Sequence, residues 1–217
     1  YERSVDSGQE YAGFASGFSR QRTRLRALNE ALERDTYLRW YTGYVEAHSE
    51  HKAQGVRTVF VRDIFGVGFL AICMSADASC VKFGLGFGAD TGKAHERAYN
   101  ELVLSHIRHL SRGRCEPIPG SAYDQLHELT KIKSVREWLL TGRSKPRTVI
   151  REVGKQMPHF KYFYYAENSL LPIYSLGVRS PELHSWDLLE MLKPIGSSKF
   201  SSPNCPPEIQ EFGIPVG

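Results

Sequence analysis

The sequence contains an internal repeat, which limits the folds that this chain can adopt. Residues 13–32 match residues 84–103 at a constant offset of 71 positions, 84 minus 13. Glycines recur at the start of both copies, and the run RALNE at 26–30 is answered by RAYNE at 97–101. Each copy therefore predicts a glycine-rich turn that leads into a helix, and the unit is expected twice.

Composition excludes several classes of protein. With 217 residues, 41% hydrophobic and 24% charged, the chain has the composition of a globular protein rather than a disordered or fibrous one. The longest apolar run, Phe65 to Met74, is too short to span a bilayer, so no membrane association is predicted. The net charge of +4 permits an anionic ligand without requiring a nucleic acid.

The cysteines and the first residue bear on location and completeness. The four cysteines show no CxxC spacing, which predicts free thiols in a reducing, cytoplasmic environment rather than a disulfide framework or a zinc ribbon. The chain begins at Tyr1 with no apolar core in its first ten residues, so we expect a fragment without a signal peptide.

Periodicity and turn signals predict the following elements. In the first half they are a helix from Ser19 to about Glu46, strands at 56–64 and 67–75 joined at Phe65-Gly66, a third strand at 80–83 and a helix from 92 to 111. Pro and Gly cluster at 112–122, which predicts a division into residues 1–111 and 112–217. In the second half, helices are predicted at 123–131, 135–140, 148–154 and 185–192. An aromatic strand at 159–166 is followed by a turn at 167–169 and a return strand at 170–178, which Pro172 would place at an edge. The proline-containing tail is expected to be ordered by docking.

Carboxylates on the first predicted helix suggest a site. Glu30 and Glu33 lie one turn apart on one face, with Arg26 and Arg34 four residues to either side of Glu30. Two carboxylates suit Mg²⁺ beside phosphates, and a glycine-rich entry to a helix suits phosphate. The alternative is a solvated face of Glu–Arg pairs. Glu101, the repeat equivalent of Glu30, favours the site.

These motifs resemble the YcaO family of ATP-dependent cyclodehydratases. The resemblance covers YAGFASG at 11–17, RALNEALERDTYLRWY at 26–41 and GLGFGADTGKAHERAYNEL at 84–102. The later segment YFYYAENSLLPIYSLGVRSPE at 162–182 is most similar to the cyclodehydratase subunit of thiazole- and oxazole-forming microcin synthetases.

The resemblance implies a fold and a reaction. The fold would be α/β, with repeated glycine-turn-helix units packed on mixed β-sheet and a nucleotide site between them. ATP would phosphorylate a backbone amide oxygen of a ribosomally made precursor peptide while a Cys, Ser or Thr side chain closes an azoline ring. Expected partners are the precursor peptide, a leader-binding E1-like or ThiF-like protein and a flavin dehydrogenase of the same complex.

The resemblance also implies roles for individual residues, with ATP and Mg²⁺ as cofactors. Mg²⁺ would be held by Glu30 and Glu33, the catalytic groups would be Arg34 and Glu101, and ATP would contact Gly13, Ser16, Gly17, Arg34 and Gly88. Tyr11, Arg22 and Leu104 stand where the family usually has Ser, an acidic residue and Gln. The departures at Tyr11 and Arg22, and the missing first glutamate motif of the family, motivate the alternative of a degenerate, non-catalytic scaffold that binds a partner or a peptide.

Other patterns have simpler interpretations. The HxxH pairs at 48–51 and 106–109 would each lie on a helical face but lack further zinc ligands. The alternate arginines at 20–26 would scatter around a helix rather than form a nucleic-acid stripe. The glycines at 84–88 do not have dinucleotide spacing. The aromatic hairpin at 159–178 is the better candidate for a peptide groove.

Overall fold

A computed structural model gives the fold of this chain. It describes residues 13–76, 81–111, 125, 128–142, 156, 159–167, 173–184, 191–201 and 205–215. The chain forms two compact units, the first from residues 1–35 and 158–187 and the second from residues 36–157 and 188–217. The sequence-based division into a nucleotide-binding part, residues 1–111, and a C-terminal part, residues 112–217, stays a prediction.

The described elements follow in chain order. They are β1 (Gly13–Gly17), α1 (Arg20–Tyr41), β2 (Ser49–Ala53), β3 (Val56–Arg62), β4 (Phe69–Ala76), β5 (Val81–Gly88), α2 (Thr91–Ser111), α3 (Lys133–Thr141), β6 (Lys161–Glu167) and β7 (Tyr174–Arg179). Short 3₁₀ helices cover Leu129–Lys131, Ile195–Ser197 and Pro207–Ile209. No helix within the described ranges is long and apolar enough to cross a membrane.

The first unit contains a three-stranded antiparallel sheet in the order β1-β7-β6. The return strand β7 is central, so the prediction that Pro172 places it at an edge is wrong. The described ladder begins at Tyr174, and Pro172 itself lies outside the described residues. The expected glycine turn at 13–17 is also wrong, because these residues form strand β1 and pair with β7 from Gly13↔Val178 to Gly17↔Tyr174.

The second unit contains a four-stranded antiparallel sheet in the order β2-β3-β4-β5. The predicted hairpin is confirmed, with β3 and β4 paired from Val56↔Ser75 to Arg62↔Phe69. Its connection is closed by the buried Asp63 carboxylate, which accepts the backbone N–H of Phe65 at 2.8 Å. Strand β5 continues to Gly88, beyond the predicted end at residue 83, because its glycines let α2 pack directly on the strand.

Two local predictions on the first half need correction. Helix α1 ends at Tyr41 and not near Glu46, since Gly43 adopts a left-handed φ of 80° that ends the helical backbone. The pair His48 and His51 is therefore not on a helical face. His51 lies instead in the exposed edge strand β2, a strand that was not predicted from the sequence.

Helix α2 matches its prediction and forms the core of the second unit with β4 and β5. Asp90 caps it, because its Oδ1 accepts the backbone N–H of Lys93 at 2.8 Å. Ala94, Ala98 and Leu102 are buried in one cluster with Ala71 and Cys73 of β4. This small-residue helix face brings the helix close to the sheet.

The remaining predictions have mixed outcomes. Helix α3 confirms the one expected at 135–140. The prediction of docking for the proline-containing tail is confirmed, since Ile209 and Ile214 are buried and the Tyr37 hydroxyl donates to the Pro215 carbonyl at 2.7 Å. The helix at 148–154 and most of the turn at 167–169 and of the helix at 185–192 lie outside the described residues.

Candidate functional site

The repeat appears in the structure as two strand–helix contacts with equivalent atoms. A Cβ added to Gly13 would lie 2.1 Å from the Ala27 carbonyl oxygen, and one added to Gly84 would lie 1.9 Å from that of Ala98. Both pairs are related by the offset of 71. These glycines therefore allow each strand to contact the backbone of the helix that follows it.

The repeated glutamates make equivalent contacts too. The backbone N–H of Phe14 donates to Glu30 Oε2 at 3.1 Å, and that of Leu85 donates to Glu101 Oε2 at 2.8 Å. Strands β1 and β5 are each at the edge of their sheet. Each carboxylate thus satisfies an edge-strand donor, so both glutamates help to hold a strand on its helix.

The other oxygen of Glu30 contacts Arg34. Arg34 Nη2 lies 2.5 Å from Glu30 Oε1, and the two side chains are 25% and 30% exposed. The spacing of four residues is the one from which this proximity was predicted. An ion pair with this much solvent access contributes little to stability, on the order of 0.3–0.5 kcal/mol.

The donors on α1 are compatible with Mg²⁺. Glu30 and Glu33 supply only oxygen atoms, which this ion prefers, and both side chains are partly exposed. A carboxylate offers about four lone-pair directions, so the two contacts of Glu30 leave room for a metal. Within the described ranges no three His, Cys, Asp or Glu side chains are grouped as ligands. One or two carboxylates are nevertheless enough where substrate phosphates supply other ligands.

Three of the residues predicted to contact ATP lie close to other protein atoms. Ser16 is exposed on β1, and its Oγ lies 2.7 Å from Oγ of Ser175 on β7. A Cβ on Gly17 would lie 2.9 Å from Thr23 Oγ1, and one on Gly88 would lie 2.7 Å from the Ala94 backbone nitrogen. Packing alone thus requires a small residue at Gly88, whereas Ser16 has no such requirement.

The predicted site residues are distributed over both compact units. The first unit holds Gly13, Ser16, Gly17, Glu30, Glu33 and Arg34, and the second holds Gly88 and Glu101. Within the first unit, Glu30 and Arg34 are in direct contact. Glu101 contacts Leu85 within the second unit.

Two contacts near these residues had not been predicted. Ser175 reaches Ser16 from a strand 159 residues away, and no local pattern announces that pairing. Asp35, only 1% exposed, accepts hydrogen bonds from the backbone nitrogen and Nδ1 of His184, both at 2.8 Å. The sequence gives one indication of this contact: Asp35 directly follows Glu33 and Arg34, and a buried carboxylate needs a hydrogen-bond partner.

One histidine of the second pair and one of the alternate arginines at 20–26 make packing contacts in the structure. His106 Nε2 lies 2.7 Å from Ser75 Oγ, which gives this histidine a packing role against β4. The arginines at 20, 22, 24 and 26 are exposed on α1, and the Arg24 guanidinium lies 4.8 Å from the Tyr162 ring centroid. That distance allows a cation–π contact within the first unit.

Comparisons with known proteins identify the fold. No family model matches the chain, and no curated protein matches it by sequence. A chain of the E. coli microcin synthetase McbBCD complex is similar, with a TM-score of 0.57 and 12% identity over 96% of this chain. The heterocyclase TruD has a TM-score of 0.50 and 11% identity over 88% of this chain. YcaO from Methanopyrus kandleri, bound with AMPPCP and Mg²⁺, has a TM-score of 0.49 and 16% identity over 78% of this chain and 54% of its own.

At these identities the likeness is one of fold. The chain has a mixed α/β fold of the microcin synthetase and heterocyclase type, which confirms the predicted resemblance at that level. It spans 64% of the matched microcin synthetase chain and 31% of TruD.

Proposed function

We propose that this chain is part of an ATP-dependent cyclodehydratase that forms azolines in a ribosomally made precursor peptide. The observation that carries the proposal is the fold shared with a microcin synthetase chain over 96% of this sequence. The YcaO-like motifs at 26–41 and 84–102 support it independently.

The proposed reaction has two bond-forming steps. A Cys, Ser or Thr side chain of the peptide loses its thiol or hydroxyl proton to solvent and adds to the preceding amide carbonyl carbon. The former carbonyl oxygen then attacks the γ-phosphorus of ATP as ADP leaves. Loss of that oxygen as phosphate and of the amide proton then gives the C=N bond of the azoline. Phosphoryl transfer of this kind depends on positioning and charge neutralisation, for which carboxylates and arginines are suited.

The proposed roles follow the chemistry of each side chain. Glu30 and Glu33 would hold Mg²⁺, which neutralises phosphate charge when bound. Arg34 would exchange its contact with Glu30 for a phosphate oxygen. Ser16 and the glycines at 13, 17 and 88 are proposed to contact ATP, and Glu101 is kept as a proposed catalytic group.

The partners are proposed on the basis of the same fold. The matched chain of known structure belongs to a synthetase complex, McbBCD. By that likeness, we propose that this chain works with a leader-binding E1-like or ThiF-like protein and a flavin dehydrogenase, and that its substrate is a peptide rather than a nucleic acid.

A second candidate is a non-catalytic scaffold. One observation favours it: both oxygens of Glu30 are already used, one by Phe14 N–H and one by Arg34. A carboxylate retained for strand–helix packing needs no metal. The scaffold predicts that the protein has no affinity for ATP.

ATP binding separates the two candidates. We would titrate the protein with ATP by calorimetry, with and without Mg²⁺, and compare it with Glu33→Gln, since Glu33 is a proposed metal ligand outside the Phe14 contact. The matched control is Glu96→Gln, an exposed glutamate on α2. Mg²⁺-dependent affinity that falls at least tenfold in Glu33→Gln alone would support the enzyme. Absence of binding, or equal binding by both variants, would contradict this site assignment.

Glu101 needs a separate test. The Glu101→Gln variant keeps a carbonyl oxygen that can accept the Leu85 N–H, so it should fold. Peptide-dependent phosphate release that falls in this variant, with ATP affinity unchanged, would support a catalytic role. Unchanged release would leave Glu101 with its packing role alone.

A further inference from the structure

A cavity of about 530 Å³ lies in the second unit, among residues that have no part in the proposed ATP site. Its lining includes Trp40, Glu46, Ser49, Glu50, Arg57 and Trp138, and we call it the tryptophan cavity. This volume falls within the range of about 300–1,000 Å³ that is usual for ligand pockets.

Two tryptophans give the cavity a firm apolar wall. The ring centroids of Trp40 and Trp138 lie 5.1 Å apart with an interplanar angle of 31°, and the residues are only 7% and 8% exposed. Tyr41 packs edge-on against Trp138, also at 5.1 Å. Rings buried to this degree present a small apolar area, which suits the methylene stem of a long side chain.

Arg57 is committed to groups within the wall. It is 5% exposed, and its Nη2 and Nε lie 2.8 and 3.3 Å from Oε1 and Oε2 of Glu50. Its Nη1 donates to the carbonyl oxygens of Trp138 and Leu139. The guanidinium charge is thus matched by Glu50 and by the carbonyl end of α3.

The remaining lining charge is negative. Among the described residues around the cavity, two carboxylates, Glu46 and Glu50, face one guanidinium, Arg57, so the formal sum is −1. Glu46 is exposed, and the Glu50 side chain is 47% exposed. An anion would have to displace Glu50 from Arg57, whereas a cation would meet the exposed carboxylate of Glu46.

We propose that the tryptophan cavity binds a lysine or arginine side chain of an extended peptide. The aliphatic stem lies against the tryptophan wall, and the cationic head meets Glu46. The peptide backbone has a neighbouring platform, because Ser49 and Glu50 of the wall belong to β2, which is an edge strand of its sheet. This inference does not depend on ATP use.

Intrinsic tryptophan fluorescence, checked by calorimetry, tests the proposal on the whole protein. The probes are blocked Gly-Lys-Gly and Gly-Arg-Gly peptides, with blocked Gly-norleucine-Gly as the uncharged match and n-butylammonium as the free amine. We expect saturable binding of the basic peptides, two- to fivefold tighter than the norleucine peptide and tighter than the free amine. Equal affinity for lysine and norleucine, or no saturable binding, would overturn the proposal. Tighter binding of n-butylammonium than of the peptides would overturn the peptide part.

Two pairs of variants locate the binding. Glu46→Gln should weaken the lysine peptide two- to fivefold, the range for an exposed ion pair, while Glu96→Gln on α2 should not. Ser49→Phe fills the cavity and should abolish binding, whereas Lys52→Phe, also exposed on β2 but outside the lining, should not. Equal effects within either pair would contradict the location.

Discussion

Gly84→Ala tests the physical meaning of the repeated glycines. The added Cβ would lie 1.9 Å from the Ala98 carbonyl oxygen and 2.4 Å from the Leu102 backbone nitrogen, whereas Cβ contacts under 3.0 Å essentially do not occur. Strand β5 and helix α2 would have to separate by 3.0 minus 1.9, or 1.1 Å. Because both opposing atoms are backbone, neither can turn aside as a flexible side chain would.

The expected cost is at the upper end of the usual range for overpacking, about 3 kcal/mol. For a chain of this length that corresponds to a fall in Tm of about 6–12 °C. Urea unfolding followed by tryptophan fluorescence measures the change, because Trp40 and Trp138 both belong to the second unit.

The matched control is Gly196→Ala. Among the described residues, the atom nearest to a Cβ there would be the Gln210 carbonyl oxygen at 3.9 Å, so the substitution should be neutral or slightly stabilising. If Gly84→Ala lost no more stability than Gly196→Ala, the explanation of the glycine by close strand–helix packing would be refuted. Loss of ATP affinity without loss of stability would instead favour a phosphate-binding role.

Three further predictions concern individual side chains of the second unit. Glu101→Ala removes the acceptor of the Leu85 N–H and should lower the free energy of unfolding by about 1–2 kcal/mol, while Glu101→Gln should cost less; equal costs in urea melts would contradict this role. Asp90→Ala removes the cap of α2 and should cost about 1 kcal/mol, seen as a lower urea midpoint; an unchanged midpoint would count against the cap. Burial raises the pKa of the Cys205 thiol to about 12, above the unfolded value of about 8.5. The unfolded thiol ionises first, so stability should fall as the pH rises from about 9 towards 12, and a Cys205→Ala variant should show a weaker fall in pH-dependent urea melts; an equal fall would refute this assignment.

Local patterns were enough for several elements. The hairpin of β3 and β4 follows from two β-rich runs around Phe65-Gly66, and α2 follows from its cap and its periodicity. The proximity of Glu30 and Arg34 follows from their spacing on one helix. These features depend on residues close in sequence, for which helical and strand geometry leave few alternatives.

Long-range pairing decided the rest. Nothing near Gly13–Gly17 indicates that this segment is a strand, because its partner β7 lies some 160 positions away and supplies the hydrogen bonds that define it. The same holds for the central place of β7 and for the contact of His184 with Asp35. The local sequence does not indicate which distant segment will pair with a strand.

The repeat shows both levels at once. Residues 13–32 and 84–103 can be identified as two copies of one unit without any structure, since glycines, alanines and glutamates recur at one offset. The packing of strand on helix shows what these residues do: the glycines allow close contact with a helix backbone, and Glu30 and Glu101 accept the N–H of an edge strand. The role of a glycine without a Cβ, or of an outward N–H, depends on the atoms that pack against it, and these atoms are brought there by the fold.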